Sequence, residues 1–304
     1  MYLKPEIIDE IAAELAIDPA FVEKDWYSVQ VLKAIAEHQS DSIETIFAGG
    51  TSLSKGYGLI QRFSEDLDFR CRYRVKSSGN QNKKARSVYR SSVLECIQTI
   101  DHIGLDDTKV AQASNYIKFP LSYPKQYSPH SSLRRDLEIE FSFTQPQLEP
   151  QRMPIQSMVA KYTEATPETS ILCLSPIETA ADKLSALTWR ILRRNRNHEN
   201  DDPAMVRHLH DLSALTPIFK EEQSLFIQTA IDSFNIDQQS GRRDTNAEFY
   251  PSLKSAVEQL KRDELYEKEY QQFVDAMSYA DDEDTITFEH AIANFESMIS
   301  LFDV

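Results

Sequence analysis

Positive charge is what this chain most lacks. Its 304 residues carry 33 Lys and Arg against 48 Asp and Glu, a formal net charge of -15. That balance opposes general nucleic-acid binding, because attraction to a phosphate backbone needs cations. Cysteine is also scarce. Cys71, Cys96 and Cys173 are odd in number, widely spaced and without a CxxC pair, which excludes a disulfide framework or zinc module and predicts reduced, packed thiols. No run approaches the roughly 18 apolar residues of a membrane span. The start, Met-Tyr-Leu-Lys-Pro-Glu, lacks the apolar block of a signal peptide, so the expected location is cytoplasmic. There is no internal repeat or low-complexity segment. Hydrophobic residues at 41 % and charged residues at 27 % leave material for a substantial core, in one large or two ordinary domains.

Against this acidic background the cations are unevenly spread. Arg70, Arg72, Arg74, Lys76, Lys83, Lys84, Arg86 and Arg90 follow one another with no intervening Asp or Glu. A second basic run, WRILRRNR, holds Arg190, Arg193, Arg194 and Arg196. Local field decides recognition more than net charge does, so the two runs predict walls of an RNA groove, with Tyr73, Tyr89 and Trp189 placed for stacking. The plainer alternative is solvated charge on a helix and a loop.

Two helices are expected within the first 40 residues, separated by Pro19, the second presenting Phe21, Trp26, Val29 and Leu32. Ile43 to Ala48 reads as a strand and Thr51 to Gln61 as a short helix. Arg62 to Tyr73 alternates as a strand, and Lys83 to Ile100 forms a helix with Val88, Val93, Leu94 and Ile97 inward. Val110 to Leu121 and Leu133 to Thr144 are further strands. Residues 166–174 read as a connection. Ser175-Pro176-Ile177-Glu178 predicts a helix start with a serine cap, proline at the first helical position and glutamate closing a capping box. Asp202-Pro203 starts another helix, and the helical pattern runs almost to the end. The expectation is an α+β chain: residues 1–174 form a mixed sheet flanked by helices, and residues 175–304 form a mainly α-helical domain.

The chemistry concentrates in GGTSLSKGYGLIQRFSEDLDF, Gly49 to Phe69. The glycine pair permits a sharp bend and close approach of phosphate to backbone. The helix after it offers amides and a positive dipole end. Gly49, Gly50, Thr51 and Ser52 are therefore candidate nucleotide-binding residues. On a strand, Arg62, Ser64, Asp66, Asp68 and Arg70 share one face, while Leu67, Phe69 and Cys71 take the other. Asp66 and Asp68 thus project together and suit Mg2+, which takes a few carboxylates plus phosphate oxygens and water. A third carboxylate is expected from RRDLEIEFSF, where Glu138 and Glu140 alternate with Leu137, Ile139 and Phe141. Either fits, and Glu140 is the preferred choice.

Taken with FVEKDWYSVQVL before it and SPIETAADKLSAL and RHLHDL after it, this stretch resembles the AbiEii/AbiGii-type nucleotidyltransferase toxins, a branch of the polymerase-β-like superfamily. The matches run in order from about residue 21 to residue 215. The resemblance implies an N-terminal nucleotidyltransferase fold and a Mg2+-dependent transfer of a nucleoside monophosphate from a nucleoside triphosphate to an acceptor. The likeliest acceptor class is the tRNA 3′ end, in a type IV toxin–antitoxin or phage-defence system with a separate AbiEi-like antitoxin. It implies that Gly50, Thr51 and Ser64 approach the triphosphate, that Lys183 binds it, and that Asp211 orients Lys183 or activates the acceptor. On residues alone Asp211 is equally an Arg207 partner on a helix surface. His208 and His210 read as structural or as RNA contacts. Other readings are a protein-hydroxyl or small-molecule acceptor, or a non-catalytic nucleotide- or RNA-binding module.

Overall fold

The structure is a computed structural model that describes residues 3–75, 78–113, 115–128 and 132–303. It divides into two compact units, one of Met1–Gly58 with Phe63–Leu174, the other of Leu59–Arg62 with Ser175–Val304.

The first unit runs α1 (Pro5–Glu14), α2 (Pro19–Glu37), β1 (Ile43–Ala48), α3 (Gly49–Lys55), β2 (Asp66–Tyr73), α4 (Gly79–Gln98), β3 (Gly104–Leu105), β4 (Ala111–Ala113), β5 (Tyr116–Ser122), β6 (Leu137–Ser142), β7 (Gln151–Ile155), α5 (Met158–Tyr162) and β8 (Thr169–Cys173). The strands form one mixed sheet in the order β3-β5-β6-β2-β1-β8-β7, with β4 on β5. Pairing is parallel between β2 and β6 and between β1 and β8, and antiparallel elsewhere. Strand β2 lies in the middle. Its Leu67, Phe69 and Cys71 are buried with Ile139 and Phe141 of β6 under α2 and α4, whereas Asp66, Asp68 and Arg70 are half-buried on the opposite face. Alternation thus sinks the apolar set and leaves the carboxylates on the other side of the sheet.

Helix α2 buries charge as well as apolar surface. Glu23 accepts from the amide of Gln126 at 2.8 Å. Lys24 donates to Glu65 at 2.5 Å and to the Arg134 carbonyl at 2.8 Å. Asp25 accepts from the Met158 amide at 2.7 Å and pairs with Lys55 at the end of α3. Buried charge survives only when paired and hydrogen-bonded, so the FVEKDW segment acts as a clamp. It ties down the helix that begins at the glycine pair and the residue before Asp66.

Several elements differ from expectation. The helix begins at the glycines themselves and ends at Lys55, and β2 begins only at Asp66, so Arg62 and Ser64 precede the strand. In α4 the inward stripe runs Tyr89, Val93 and Ile97, and Val88 is exposed, because the i, i+4 spacing is already filled from Tyr89. Residues 166–174 are no mere connection: they contain β8, whose residues Ile171 and Cys173 are buried. Strand β7, which holds Pro154, was not anticipated. It is an edge strand, where a missing N–H is tolerated. The expected strand from Val110 is two strands, and Ser114 between them lies outside the described residues, as does Lys76 of the basic run.

The second unit is helical: α6 (Pro176–Arg193), a 3-10 turn at Pro203–Val206, α7 (Arg207–Ala214), α8 (Thr216–Glu221), α9 (Gln223–Gln239), α10 (Phe249–Arg262), α11 (Leu265–Met277) and α12 (Phe288–Ser300). Proline does occupy the first turn of α6, but Ser175 makes no side-chain cap bond, so the expected capping box is not formed. Met205, Val206, Leu209 and Leu212 pack inward. Leu59–Arg62 belongs to this unit. Its Gln61 carbonyl accepts from the Tyr279 amide at 3.1 Å, and the Arg62 guanidinium lies 5.5 Å from the Phe273 ring centre. The fold class is therefore α+β, with a mixed sheet followed by a helical part.

Candidate active site

Strand register builds the carboxylate face. Ala48 pairs with Asp68 across β1 and β2. Asp66 lies opposite Glu138, and Asp68 opposite Glu140, on the adjacent parallel strand β6. All four acids fall on one face of two neighbouring strands. The chain then leaves β1 through Gly49 at φ +72°, a conformation that favours glycine. A Cβ there would lie 2.2 Å from Asp68 Oδ2, so the bare backbone is what lets Asp68 sit against the turn. The Thr51 hydroxyl donates to the Asp66 carbonyl at 2.6 Å and the Ser52 hydroxyl to the Gly49 carbonyl at 3.1 Å. Both side chains are buried; Thr51 ties the glycine turn to β2, and Ser52 closes the turn on itself. Ser64, half-buried, lies two residues ahead of Asp66.

Glu138 and Glu140 have different surroundings. Glu138 pairs with Lys118 at 2.6 Å and with Arg134. Arg134 also pairs with Asp66 at 2.5 Å, and its amide donates to Glu65 at 2.7 Å. Glu140 accepts from the Tyr116 hydroxyl at 3.2 Å. Burial holds its carboxyl above the usual range, against the pull of Lys118 and the Tyr116 bond, while Asp66 pushes the same way as burial. The donor chemistry suits a hard divalent cation, since Asp66, Asp68 and Glu140 offer only carboxylate oxygens. Among the described residues no group of three His, Cys, Asp or Glu is placed to hold a metal ion; Arg134 pairs with Asp66 and Glu138, and Lys118 with Glu138.

The helical unit holds the second group of predicted residues. Asp211 on α7 is fully buried. It accepts from Arg62 Nε and Nη2, each at 2.6 Å, and pairs with Lys183 Nζ of α6 at 2.7 Å. Burial opposes the Asp211 charge, but Arg62 and Lys183 outweigh it and hold the carboxyl well below the usual range. Burial lowers Lys183, assisted by Arg62 and resisted by Asp211. Sequence reasoning brought Lys183 and Asp211 forward but offered Arg207 as the aspartate's partner. In the structure Arg207 pairs with Asp202 at 3.5 Å, and Arg62 takes the bidentate role. No sequence signal pointed to Arg62, which the alternation argument had placed on β2. His208 has both ring nitrogens buried without a hydrogen-bond partner. Burial and the neighbouring cations push it well below its normal pKa, to the neutral form.

Part of each basic run is spent on internal pairing, while Lys83 and Lys84 are exposed on α4. Arg72 is held by Glu44 and Glu149, and Arg74 by Glu44. Arg190 pairs with Asp202. The Arg194 side chain is 3 % exposed between Asp201 and Glu269, and Arg196 joins Asp263 and Glu269. Tyr89, expected as a stacking platform, is buried with its hydroxyl 2.6 Å from Thr45 Oγ1. Arg70 remains on the carboxylate face of β2, opposite Ser142. Arg193 is exposed, with Nη1 on the Arg242 carbonyl at 2.6 Å.

A mixed sheet with an Asp-x-Asp strand beside a glycine turn, followed by a helical unit, fits a nucleotidyltransferase, and the family to which the sequence belongs shows it to be one. The chain belongs to the AbiEii family of nucleotidyltransferase toxins of type IV toxin–antitoxin systems, whose sequence model matches residues 30–294. Membership implies a nucleoside triphosphate as substrate and an antitoxin as partner. Among solved structures the chain is similar to MenT4, the nucleotidyltransferase toxin Rv2826c from Mycobacterium tuberculosis H37Rv. The TM-score is 0.67 at 17 % identity, covering 100 % of this chain and 91 % of that one. At that identity the likeness speaks to fold alone. No curated protein matches the chain.

Proposed function

We propose that this toxin transfers a nucleoside monophosphate from a nucleoside triphosphate to the 3′ end of tRNA, using Mg2+ held by Asp66, Asp68 and Glu140. The observation that carries the reading is the register of β2 on β6, which sets Asp68 opposite Glu140 while Gly49 gives Asp68 room. Bound there, the cation would neutralise triphosphate charge. The acceptor hydroxyl oxygen attacks the α-phosphorus, the bond to the bridging oxygen breaks, pyrophosphate leaves, and the hydroxyl proton passes to water. Gly49, Gly50 and Thr51 bring backbone amides to the phosphates, Ser52 fixes the turn, and Ser64 adds a hydroxyl.

Lys183 supplies positive charge to the triphosphate. Asp211 is assigned as the positioning residue for Lys183. A carboxylate held this acidic by two cations is a poor base, which disfavours direct activation of the acceptor. Residues 1–174 are assigned as the nucleotidyltransferase domain and 175–304 as the helical domain.

The tRNA acceptor follows from the resemblance to family members that extend tRNA, and a phage-defence role follows from the same source. No helix among the described residues is long and apolar enough to cross a membrane, and the cytoplasm is where tRNA and triphosphates meet. The test is to incubate the protein with each α-labelled triphosphate, Mg2+ and total bacterial RNA, beside Asp66→Ala. Label in tRNA that disappears in the variant supports the reading. Label confined to protein or to a small molecule refutes the acceptor assignment.

A further inference from the structure

Within the helical unit a cavity of about 450 Å3 is lined by Trp189, Leu192, Arg193, Arg243, Asp244 and Ala247 among others. Arg243 is its unusual member. It is 5 % exposed, and its guanidinium stacks 4.1 Å from the Phe234 ring centre. Nη2 donates to the Ser185 carbonyl and, at 3.0 Å, to the Ser185 hydroxyl, while Nε is buried with no hydrogen-bond partner. Every other arginine buried in this unit has a carboxylate: Arg62 has Asp211, and Arg194 has Asp201 and Glu269. Arg243 has none within ion-pair distance among the described residues; its acidic neighbour Asp237 acts on it across the Ser185 hydroxyl, which bonds both side chains. A buried cation with an unused donor is costly unless an anion completes it.

The rest of the lining says which anion. Trp189, with the Arg190 guanidinium 5.4 Å from its ring centre, lines the cavity and brings an aromatic ring, on which every nucleobase can stack. Arg193 brings a second, exposed guanidinium whose fork matches phosphate oxygens. Leu192 and Ala247 add apolar wall, and the volume lies in the range of sites for small organic ligands. An acidic peptide would use the cations but leave the Trp189 face without a counterpart.

We infer that this cavity binds a nucleotide unit, with its base against Trp189 and its phosphate on Arg193 and Arg243. The assignment goes beyond the transfer reaction and does not depend on the carboxylate site. Its ligand chemistry is that of a free nucleoside monophosphate or of one residue in an RNA chain.

The test uses the full chain labelled with fluorotryptophan. The two tryptophans give two fluorine resonances, and Trp189→Phe assigns them. On titration with nucleoside monophosphates and, separately, with a short single-stranded RNA, the Trp189 resonance should shift saturably while that of Trp26 stays still. Tighter response to RNA identifies a chain-binding site, and response to monophosphate alone identifies a free-nucleotide site. Both outcomes carry the assignment. Arg193→Gln should weaken the response about tenfold or more, and Arg243→Met should abolish it. If Arg243→Met does not fold, Arg193→Gln decides. Asp68→Asn, which disables the carboxylate site, should leave the response unchanged even if label transfer is lost. No Trp189 shift, a shift indifferent to Arg193→Gln, a shift lost in Asp68→Asn, or a shift produced only by an acidic hexapeptide would each overturn the inference.

Discussion

Removing Asp211 and removing Lys183 should both cost activity, but only the first should cost much stability. Asp211 is one buried anion serving two buried cations, whose side chains are 3 % exposed for Arg62 and 8 % for Lys183. In Asp211→Ala both cations lose the carboxylate that joins them and repel each other. Breaking a buried ion pair from one side costs about 3–5 kcal/mol, which lowers the melting temperature by roughly 10 °C or more in a domain of this size. Lys183→Met leaves a closed bidentate pair between Arg62 and Asp211 and removes a cation that burial already disfavours. Its cost should stay within about 1–2 kcal/mol, since Asp211 keeps the bidentate Arg62 guanidinium and no buried charge is left uncompensated.

Thermal unfolding followed by circular dichroism measures both, and label transfer measures function. Lys183→Met should be well folded but slower in transfer by about a hundredfold or more. Asp211→Ala should be both unstable and inactive. The pH dependence follows from the direction of the Asp211 shift. Its folded value lies below 3.8, so between the two values the unfolded chain binds more protons. The stabilisation is fully present above 3.8 and is lost as pH falls through the folded value. Equal destabilisation by the two substitutions, or an Asp211→Ala as stable as the parent, would refute this account of the cluster.

Gly49→Ala should remove activity at a stability cost of about 1–3 kcal/mol, because the new Cβ would lie 2.2 Å from Asp68 Oδ2 at a φ that disfavours side chains; melting and label transfer on one preparation test both parts. Arg194→Met should destabilise the helical unit by about 3–5 kcal/mol, since its buried guanidinium joins Asp201 to Glu269. The salt dependence of RNA binding, measured where the variant is still folded, should be unchanged. Burial pushes the Cys71 and Cys173 thiols up to about 12 and also raises Cys96. A thiol reagent at neutral pH should therefore modify at most the half-buried Cys96 rapidly in the native protein, and all three after denaturation; rapid native reaction of Cys71 would contradict the packing.

What the sequence made legible was local. The i, i+2 spacing of Asp66 and Asp68 fixes their shared face on any strand, and the apolar alternation of Leu67, Phe69 and Cys71 says which face is buried. The helix from Pro176 announced itself by proline at its first turn and by its apolar stripe. Strand β8 escaped because Thr169–Cys173 is short and follows a proline-punctuated stretch; its placement beside β1 is decided by parallel pairing with residues more than a hundred positions earlier, which no local pattern encodes.

The same limit applies to charge. Arg207 stood four residues from Asp211 and looked like its partner, yet Arg62, 149 residues away, takes the carboxylate. A helix-surface pair contributes only a few tenths of a kcal/mol, while an unpaired buried aspartate costs several, so the fold satisfies the buried anion first. The basic run at Arg190 to Arg196 shows the same limit. Its arginines were counted as free charge, but the acids that claim Arg194 and Arg196 lie as far along as Asp263 and Glu269. A run of like charge in sequence predicts a surface field only after its distant counterions have been subtracted, and here the subtraction leaves Arg193, beside Trp189 and Arg243, lining the cavity inferred to take a nucleotide.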